Sequence, residues 1–231
     1  FDLFLISDEI YINVTYNGAR AWSLPQYIGE VPGMVLKGLS KDVPWPGSRC
    51  GWTKFLNRKK DSEFDKLCTT LENAKMIEVS STKLPQIAIP RIMSDPRYKE
   101  QITANNEKIG ARSKLIAEIL KPIPGIYFNE TYGAFYNTIV FKDEVLRPGQ
   151  KLQIENPEIK ALVEKWVGAE NVAPDKRFVY YLLGAKGVCV VPISSFCSSL
   201  QGFRVTLLEN DEALLREAFT HIKDALEEYL V

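Results

Sequence analysis

Apolar and polar positions change period several times along the chain, and the changes outline alternating strands and helices. Phe1 to Ser7 is a nearly continuous apolar run, which predicts a strand buried on both faces; Met34 to Leu39 is a shorter run of the same kind. Both end in polar residues. In a parallel sheet the residues just past the carboxyl ends of strands line the ligand crevice, so Asp8 and the pair Ser40-Lys41 are candidates for one site. From Asp61 the apolar residues Phe64, Leu67, Cys68 and Leu71 recur at helical spacing, with Ser62 as the cap. A second helix is predicted from Leu84 into Met93, with Pro90 inside it. Asp95-Pro96 then breaks the chain ahead of a long polar helix, Arg97 to Leu120, of the sort that bridges two subdomains.

Beyond Pro122-Ile123-Pro124-Gly125, strands are predicted at Ile126 to Phe128 and Ala134 to Phe141, then a loop from Lys142 to Gln153. Helices follow at Pro157 to Val167 and Lys176 to Ala185, and strands at Val188 to Val191 and Phe203 to Leu208. The last helix, from about Asp211, carries Leu214, Leu215, Ala218, Phe219, Ile222, Leu226 and Tyr229 on one stripe. The alternation favours α/β or α+β over an all-helical or all-strand fold.

Composition narrows the partners. In 231 residues, 29 Lys and Arg balance 29 Asp and Glu, so the electrostatic footprint of a polyanion binder is missing and nucleic acid is not expected. No apolar run approaches the ~20 residues that span a bilayer, which predicts no membrane partner. The first residues lack a basic segment and a small-residue cleavage site, so they do not read as a signal peptide. Cys50, Cys68, Cys189 and Cys197 form no C-x-x-C pair and have no nearby His, which argues against zinc or any other metal site and against a disulfide scaffold. Reduced thiols in a cytoplasmic setting are the simpler expectation.

Chemistry narrows too. His221 falls among Glu217, Asp224 and Glu228 and reads as a solvated surface residue, which leaves Ser-His-Asp and Cys-His catalysis without a base. Gly33 and Gly38 have the spacing of a phosphate loop, but Leu39 and Ser40 stand where that loop needs Lys and Ser or Thr. What remains is Asp8, Tyr11, Lys41 and Arg49. A lysine in an environment that lowers its pKa attacks carbonyls to form a Schiff base, and pyridoxal phosphate is the cofactor that exploits this. Its phosphate needs an arginine or a helix N-terminus. From spacing alone, a lysine and an arginine eight residues apart in a loop are more often solvated surface charges, and that is the commoner reading of Lys41 and Arg49.

Four motifs in order carry a family resemblance. Leu5-Ile6-Ser7-Asp8-Glu9-Ile10-Tyr11 resembles the aspartate-to-tyrosine segment of the class I/II pyridoxal-phosphate-dependent aminotransferases of fold type I. The run from Leu36 through Ser40-Lys41 to Pro46-Gly47-Ser48-Arg49-Cys50-Gly51-Trp52 is similar to their Schiff-base motif, and the alignment selects Lys41 over Lys37. Tyr132-Gly133-Ala134-Phe135-Tyr136 resembles a strand of the family's small domain. Gly187 to Pro192 followed by Gly202-Phe203-Arg204-Val205-Thr206-Leu207 resembles the strand pair that carries its carboxylate-binding arginine.

The resemblance implies an α/β fold: part of the large cofactor domain with a mainly parallel sheet, residues 1–105, and a small C-terminal α+β domain, residues 106–231. It implies that Lys41 holds pyridoxal 5'-phosphate as an internal aldimine and moves the proton between Cα and C4′. Asp8 would keep the pyridine nitrogen protonated, Tyr11 would donate to the phenolic oxygen, and Ser40 and Arg49 would bind cofactor, Arg49 at the phosphate. Arg204 would clamp the substrate α-carboxylate as a two-pronged fork, a geometry lysine cannot supply. The implied reaction moves an amino group between an amino acid and a 2-oxo acid in a homodimer with shared active sites. Lyase or decarboxylase chemistry on the same fold is an alternative, as are a cofactor-sensing domain of a transcription regulator and an inactive fragment.

Three departures from the family pattern stand out. Gly38 replaces a serine common three residues before the lysine, and Ile193-Ser194-Ser195-Phe196-Cys197 replaces Gly-x-x-Phe-Gly. No arginine lies between Arg58 and Arg91, where aspartate-specific relatives draw one for the distal carboxylate, so neutral or aromatic amino acids are the expected substrates. The opening on Phe1, with an aspartate already at position 8, leads to the expectation of a missing N-terminal half of the same protein.

Overall fold

The computed structural model describes residues 3–231, which divide into two compact units: residues 3–107 with 132–134, and residues 108–131 with 135–231. Helices with one mixed and one antiparallel sheet make this an α/β molecule.

In the first unit, β1 (Leu5–Asp8) pairs in parallel with β2 (Gly33–Gly38), which pairs antiparallel with β3 (Gly51–Leu56). The register sets Asp8 opposite Leu36, so the carboxyl ends of β1 and β2 lie side by side. Helices α1 (Ser62–Met76), α2 (Lys83–Ser94) and α3 (Arg97–Leu120) follow; the boundary between the units falls inside α3. Asp61, and not Ser62, caps α1: its carboxylate accepts from Phe64 N–H at 2.6 Å. Met34, Phe64 and Cys68 form a small core, with Leu36, Phe55 and Leu67 packed against it.

The strand expected at Phe1 to Ser7 as buried on both faces is corrected. Phe1 and Asp2 lie outside the described residues, and β1 leaves Leu5 and Ile6 40% and 59% exposed. The cause is position: β1 is an edge of the sheet among the described residues, with a neighbour on one side only. Strand β3 was not anticipated, because its Gly51-Trp52 start coincides with the end of the lysine motif.

In the second unit β4 (Ile126–Phe128), β5 (Tyr136–Phe141), β7 (Gly202–Thr206) and β6 (Val191–Pro192) form an antiparallel sheet in that order. The strand expected at Val188 to Val191 shrinks to Val191–Pro192, because the chain turns at once into a 3-10 helix at Ile193–Phe196. Helices α4 (Pro157–Val167), α5 (Pro174–Lys186) and α6 (Glu212–Tyr229) complete the unit. Phe178 on α5 touches Phe141, Phe203 and Tyr229 at ring separations of 5.3, 5.5 and 5.1 Å, which places the core where α5, α6 and the sheet meet. Leu215, Phe219, Ile222, Leu226 and Tyr229 of α6 are buried as its stripe predicts, while Leu214 stays exposed. Gly202 is required by close approach: a Cβ there would lie 2.2 Å from the Ile139 carbonyl oxygen.

Candidate functional site

In the first unit, Asp8, Tyr11, Ser40 and Lys41 all follow or end the two parallel strands. Lys41 is half-buried, and its ammonium lies over the Tyr11 ring, 5.6 Å from the centroid. Lys37, the other lysine of the motif, is taken up elsewhere: its Nζ pairs with Glu9 at 3.2 Å. The geometry thus separates the two lysines, one in a structural ion pair and one beside a phenol.

Asp8, which ends the strand expected to be buried on both faces, is itself exposed, and its Oδ1 accepts from Ile10 N–H at 3.1 Å. The buried acid is its neighbour Glu9, 4% exposed, which accepts from Ser23 Oγ at 2.6 Å, Leu24 N–H at 2.7 Å and Ser7 Oγ at 3.4 Å besides pairing with Lys37. Burial alone would push the Glu9 carboxyl up, but the bonds from Ser23, Leu24 and Lys37 outweigh it and hold it below the ordinary range. Glu9 ties the 9–24 loop to β2.

Ser40 is half-buried at the start of the loop that carries Lys41. Arg49 is exposed in a left-handed conformation, φ 48°, at the end of the 3-10 turn Pro46–Ser48, and its Nη1 donates to the Pro46 carbonyl at 2.9 Å. It borders a cavity of about 440 Å³ whose lining includes Trp52, Lys75 and Gln86. Gly38 also has a physical reason. A Cβ there would come within 3.0 Å of both the Cys50 carbonyl oxygen and the Ile10 side chain, so serine cannot be accommodated without displacement.

Sequence reasoning missed a polar cluster around the residue next to Lys41. Asn13 Nδ2 donates to Asp42 Oδ2 at 2.8 Å, and Asn106 Nδ2 donates to the Asn13 carbonyl at 2.8 Å. Burial pushes the Asp42 carboxyl up to about 6, against the opposing pull of Asn13 and Lys37. The Tyr98 phenol is raised as well, by burial and by the Asp42 charge. The separation of 29 positions between Asn13 and Asp42 hides this contact from any local motif.

Tyr132-Gly133-Ala134 belongs to the first unit, where Tyr16 N–H donates to the Tyr132 carbonyl at 3.0 Å and Ala134 N–H to the Val14 carbonyl at 2.9 Å. Arg204, in the second unit, is half-buried on β7 with its guanidinium carbon 4.4 Å from the Tyr136 ring centroid and 4.3 Å from that of Phe196. It borders a groove of about 510 Å³ with Val191, Glu209 and His221. His221 is half-buried there and not the fully solvated residue its acidic neighbours suggested. Among the described residues no group of His, Cys, Asp and Glu could hold a metal ion, and no helix is long and apolar enough to cross a membrane.

The family model described as aminotransferase class I and II matches residues 1–222. An uncharacterized aminotransferase of Methanocaldococcus jannaschii is 45% identical over 230 residues, covering 100% of this chain and 53% of that protein. Alanine aminotransferase 2 of Xenopus tropicalis is 28% identical over 240 residues, covering 96% and 42%. Among solved structures, tyrosine aminotransferase from Leishmania infantum superposes with a TM-score of 0.78 at 21% identity, over 99% of this chain and 49% of that one. Alanine aminotransferase from Pyrococcus furiosus gives 0.74 at 24% identity, over 96% and 49%. The chain spans about half the length of the curated relatives it matches.

Proposed function

The chain belongs to the class I and II aminotransferases, and on that premise we propose that the protein moves an amino group between an amino acid and a 2-oxo acid with pyridoxal 5'-phosphate as cofactor. The observation that carries this reading is the placement of Lys41 beside Tyr11 at the carboxyl ends of β1 and β2, with Lys37 held away by Glu9. The donor set suits the group: a carboxylate for a ring nitrogen, a phenol for a ring oxygen, an amine for an aldehyde, and a hydroxyl with a guanidinium for a phosphate. Asp8, Tyr11, Lys41, Ser40 and Arg49 would hold the cofactor in those roles. Residues 1–105 would be part of the large domain and 106–231 the small domain.

When bound, pyridoxal phosphate supplies an electron sink that stabilises negative charge at the substrate Cα. Lys41 Nζ takes the proton from that carbon and hands it back on the other side of the transfer. Tyr11 both borders the ammonium and offers its hydroxyl to the ring oxygen. Arg204 grips the substrate α-carboxylate, which limits how the bound amino acid can turn. Neutral or aromatic amino acids are the proposed substrates, on the absence of arginine between Arg58 and Arg91 and in line with relatives called alanine aminotransferase. A cytoplasmic homodimer with shared active sites completes the proposal.

Borohydride reduction of the whole protein after loading with pyridoxal phosphate, followed by peptide mapping, tests the reading. The expected pyridoxyl adduct is on Lys41. In Lys41→Ala the adduct disappears and amino-group transfer falls on the order of 10³-fold, the scale of a lost positioned base. An adduct on Lys37 with Lys41 untouched would overturn the assignment.

A further inference from the structure

Arg204 is held by aromatic faces and not by acids. It is half-buried on β7, its guanidinium carbon lies 4.4 Å from the centroid of the Tyr136 ring and 4.3 Å from that of Phe196, and among the described residues its side chain makes no hydrogen bond or ion pair. A half-buried cation without an acidic partner is costly unless something replaces part of its hydration. Ring faces do so through their quadrupole, and they leave the N–H donors uncommitted. An acidic partner would instead compete with an incoming carboxylate for the same fork.

The second ring is placed by an unusual turn. The 3-10 helix Ile193–Phe196 ends on Cys197 in the left-handed region, φ 57°. Its start is stapled by Asp175, a fully buried acid that accepts from Ser194 Oγ at 2.6 Å, Ser194 N–H at 3.0 Å and Gly202 N–H at 3.3 Å. Gly202 opens β7, the strand of Arg204, so one carboxylate ties the Phe196 turn to the arginine's own strand. The two glycines of the family pattern are thus replaced by a hydrogen-bonded anchor.

We propose that Phe196 and Tyr136 are positioning residues that hold the Arg204 guanidinium in the orientation in which its fork takes a substrate carboxylate. This rests on the reading of Arg204 as the carboxylate clamp. Tyr136 supplies a face from β5, the strand beside β7. Phe196, 48% exposed, supplies the face from the turn.

The test uses the whole protein loaded with pyridoxal phosphate and 2-methylalanine as probe, a neutral amino acid that has a carboxylate but no α-hydrogen to give up. Its dissociation constant is measured for wild type, Phe196→Leu, Phe196→Tyr, Arg204→Leu and the Phe196→Leu/Arg204→Leu double variant. The expected result is about tenfold weaker binding in Phe196→Leu, near wild-type binding in Phe196→Tyr, and no further loss from Phe196→Leu once Arg204 is gone. Wild-type affinity in Phe196→Leu, or the same loss with and without Arg204, overturns the proposal. Should Phe196→Leu fail to fold, Tyr136→Leu against Tyr136→Phe gives the same comparison from the other ring. A wild-type protein that binds 2-methylalanine but transfers no amino group from any amino acid would sink the proposed activity and leave this result standing.

Discussion

The Asp42 carboxyl makes fewer bonds than a solvated carboxylate would. Asn13 holds Oδ2, and Oδ1 is buried without a partner among the described residues. Its pKa near 6 lies above the ordinary carboxylate value, so the folded protein carries an extra proton between roughly pH 4 and 6. Stability contributed by this group is therefore present below that window and is lost as pH rises through it. Asp42→Asn keeps an acceptor for Asn13 but cannot ionise. Urea unfolding at pH 4.5 and pH 7 should show wild type losing at most about 2 kcal/mol from this residue, and the variant losing none of it. An unchanged pH slope in Asp42→Asn would place the effect elsewhere. None of this was legible in the sequence, where Asp42 is one more charge after Lys41, because desolvation belongs to the folded surroundings and Asn13 is remote in the chain. Asp8 and Glu9 teach the same lesson: the apolar run located an acid at the strand's end but could not say which of two adjacent acids turns inward. A long run of neighbouring residues singles out Lys41 over Lys37 in the sequence, and its role toward the cofactor belongs to the proposal above.

Elements with strong punctuation at their ends were the ones whose bounds could be read. Asp95-Pro96 sets the start of α3, and Asn156-Pro157 sets the start of α4, where Asn156 Oδ1 accepts from Glu158 and Ile159 N–H at 2.9 and 3.2 Å. Strand β3 lacks such signals, and its Trp52 and Phe55 are only half-buried, so no clean alternation marks it. The turn Ile193–Phe196 was invisible for another reason: its anchor, Asp175, is 19 residues earlier in the chain. That anchor carries its own prediction. Asp175→Ala strands one hydroxyl and two backbone N–H groups in the interior and should cost about 3 kcal/mol in chemical denaturation. Asp175→Asn keeps an acceptor oxygen and should cost less than half as much. If the turn does place Phe196, Asp175→Asn should also weaken 2-methylalanine binding without altering the Lys41 adduct. Equal stability of the two variants would show that the three hydrogen bonds are not what holds the turn.

The two units bury apolar surface very unequally. The first buries Val14, Tyr16, Ile28, Val35 and Leu39 besides the Met34, Phe64 and Cys68 cluster, and it leaves Leu3, Ile6, Met76, Ile77 and Leu84 well exposed. The second has Phe178 and Phe203 fully buried beside Phe141 and Tyr229, and its α6 buries six side chains. Apolar patterning in the sequence could not reveal this difference, because a run such as Leu3 to Ile6 looks the same whether or not a second surface covers it. Local opening free energy follows burial and ladder neighbours, so the units should separate in hydrogen exchange. In the 231-residue chain, amides of β5, β7 and α6 should be the slowest, exchanging near the limit set by unfolding of their unit. Those of β1 should be the fastest among the strands, since it has one neighbour and exposed side chains on both faces. A difference on the order of 10²-fold or more is expected, equivalent to about 3 kcal/mol of opening free energy. Protection of β1 equal to that of β7 would mean that the exposed apolar run is covered in solution, by a second copy of the chain or by another segment. Repeating the exchange at a tenfold lower concentration separates those two, because only covering by a second copy is lost on dilution.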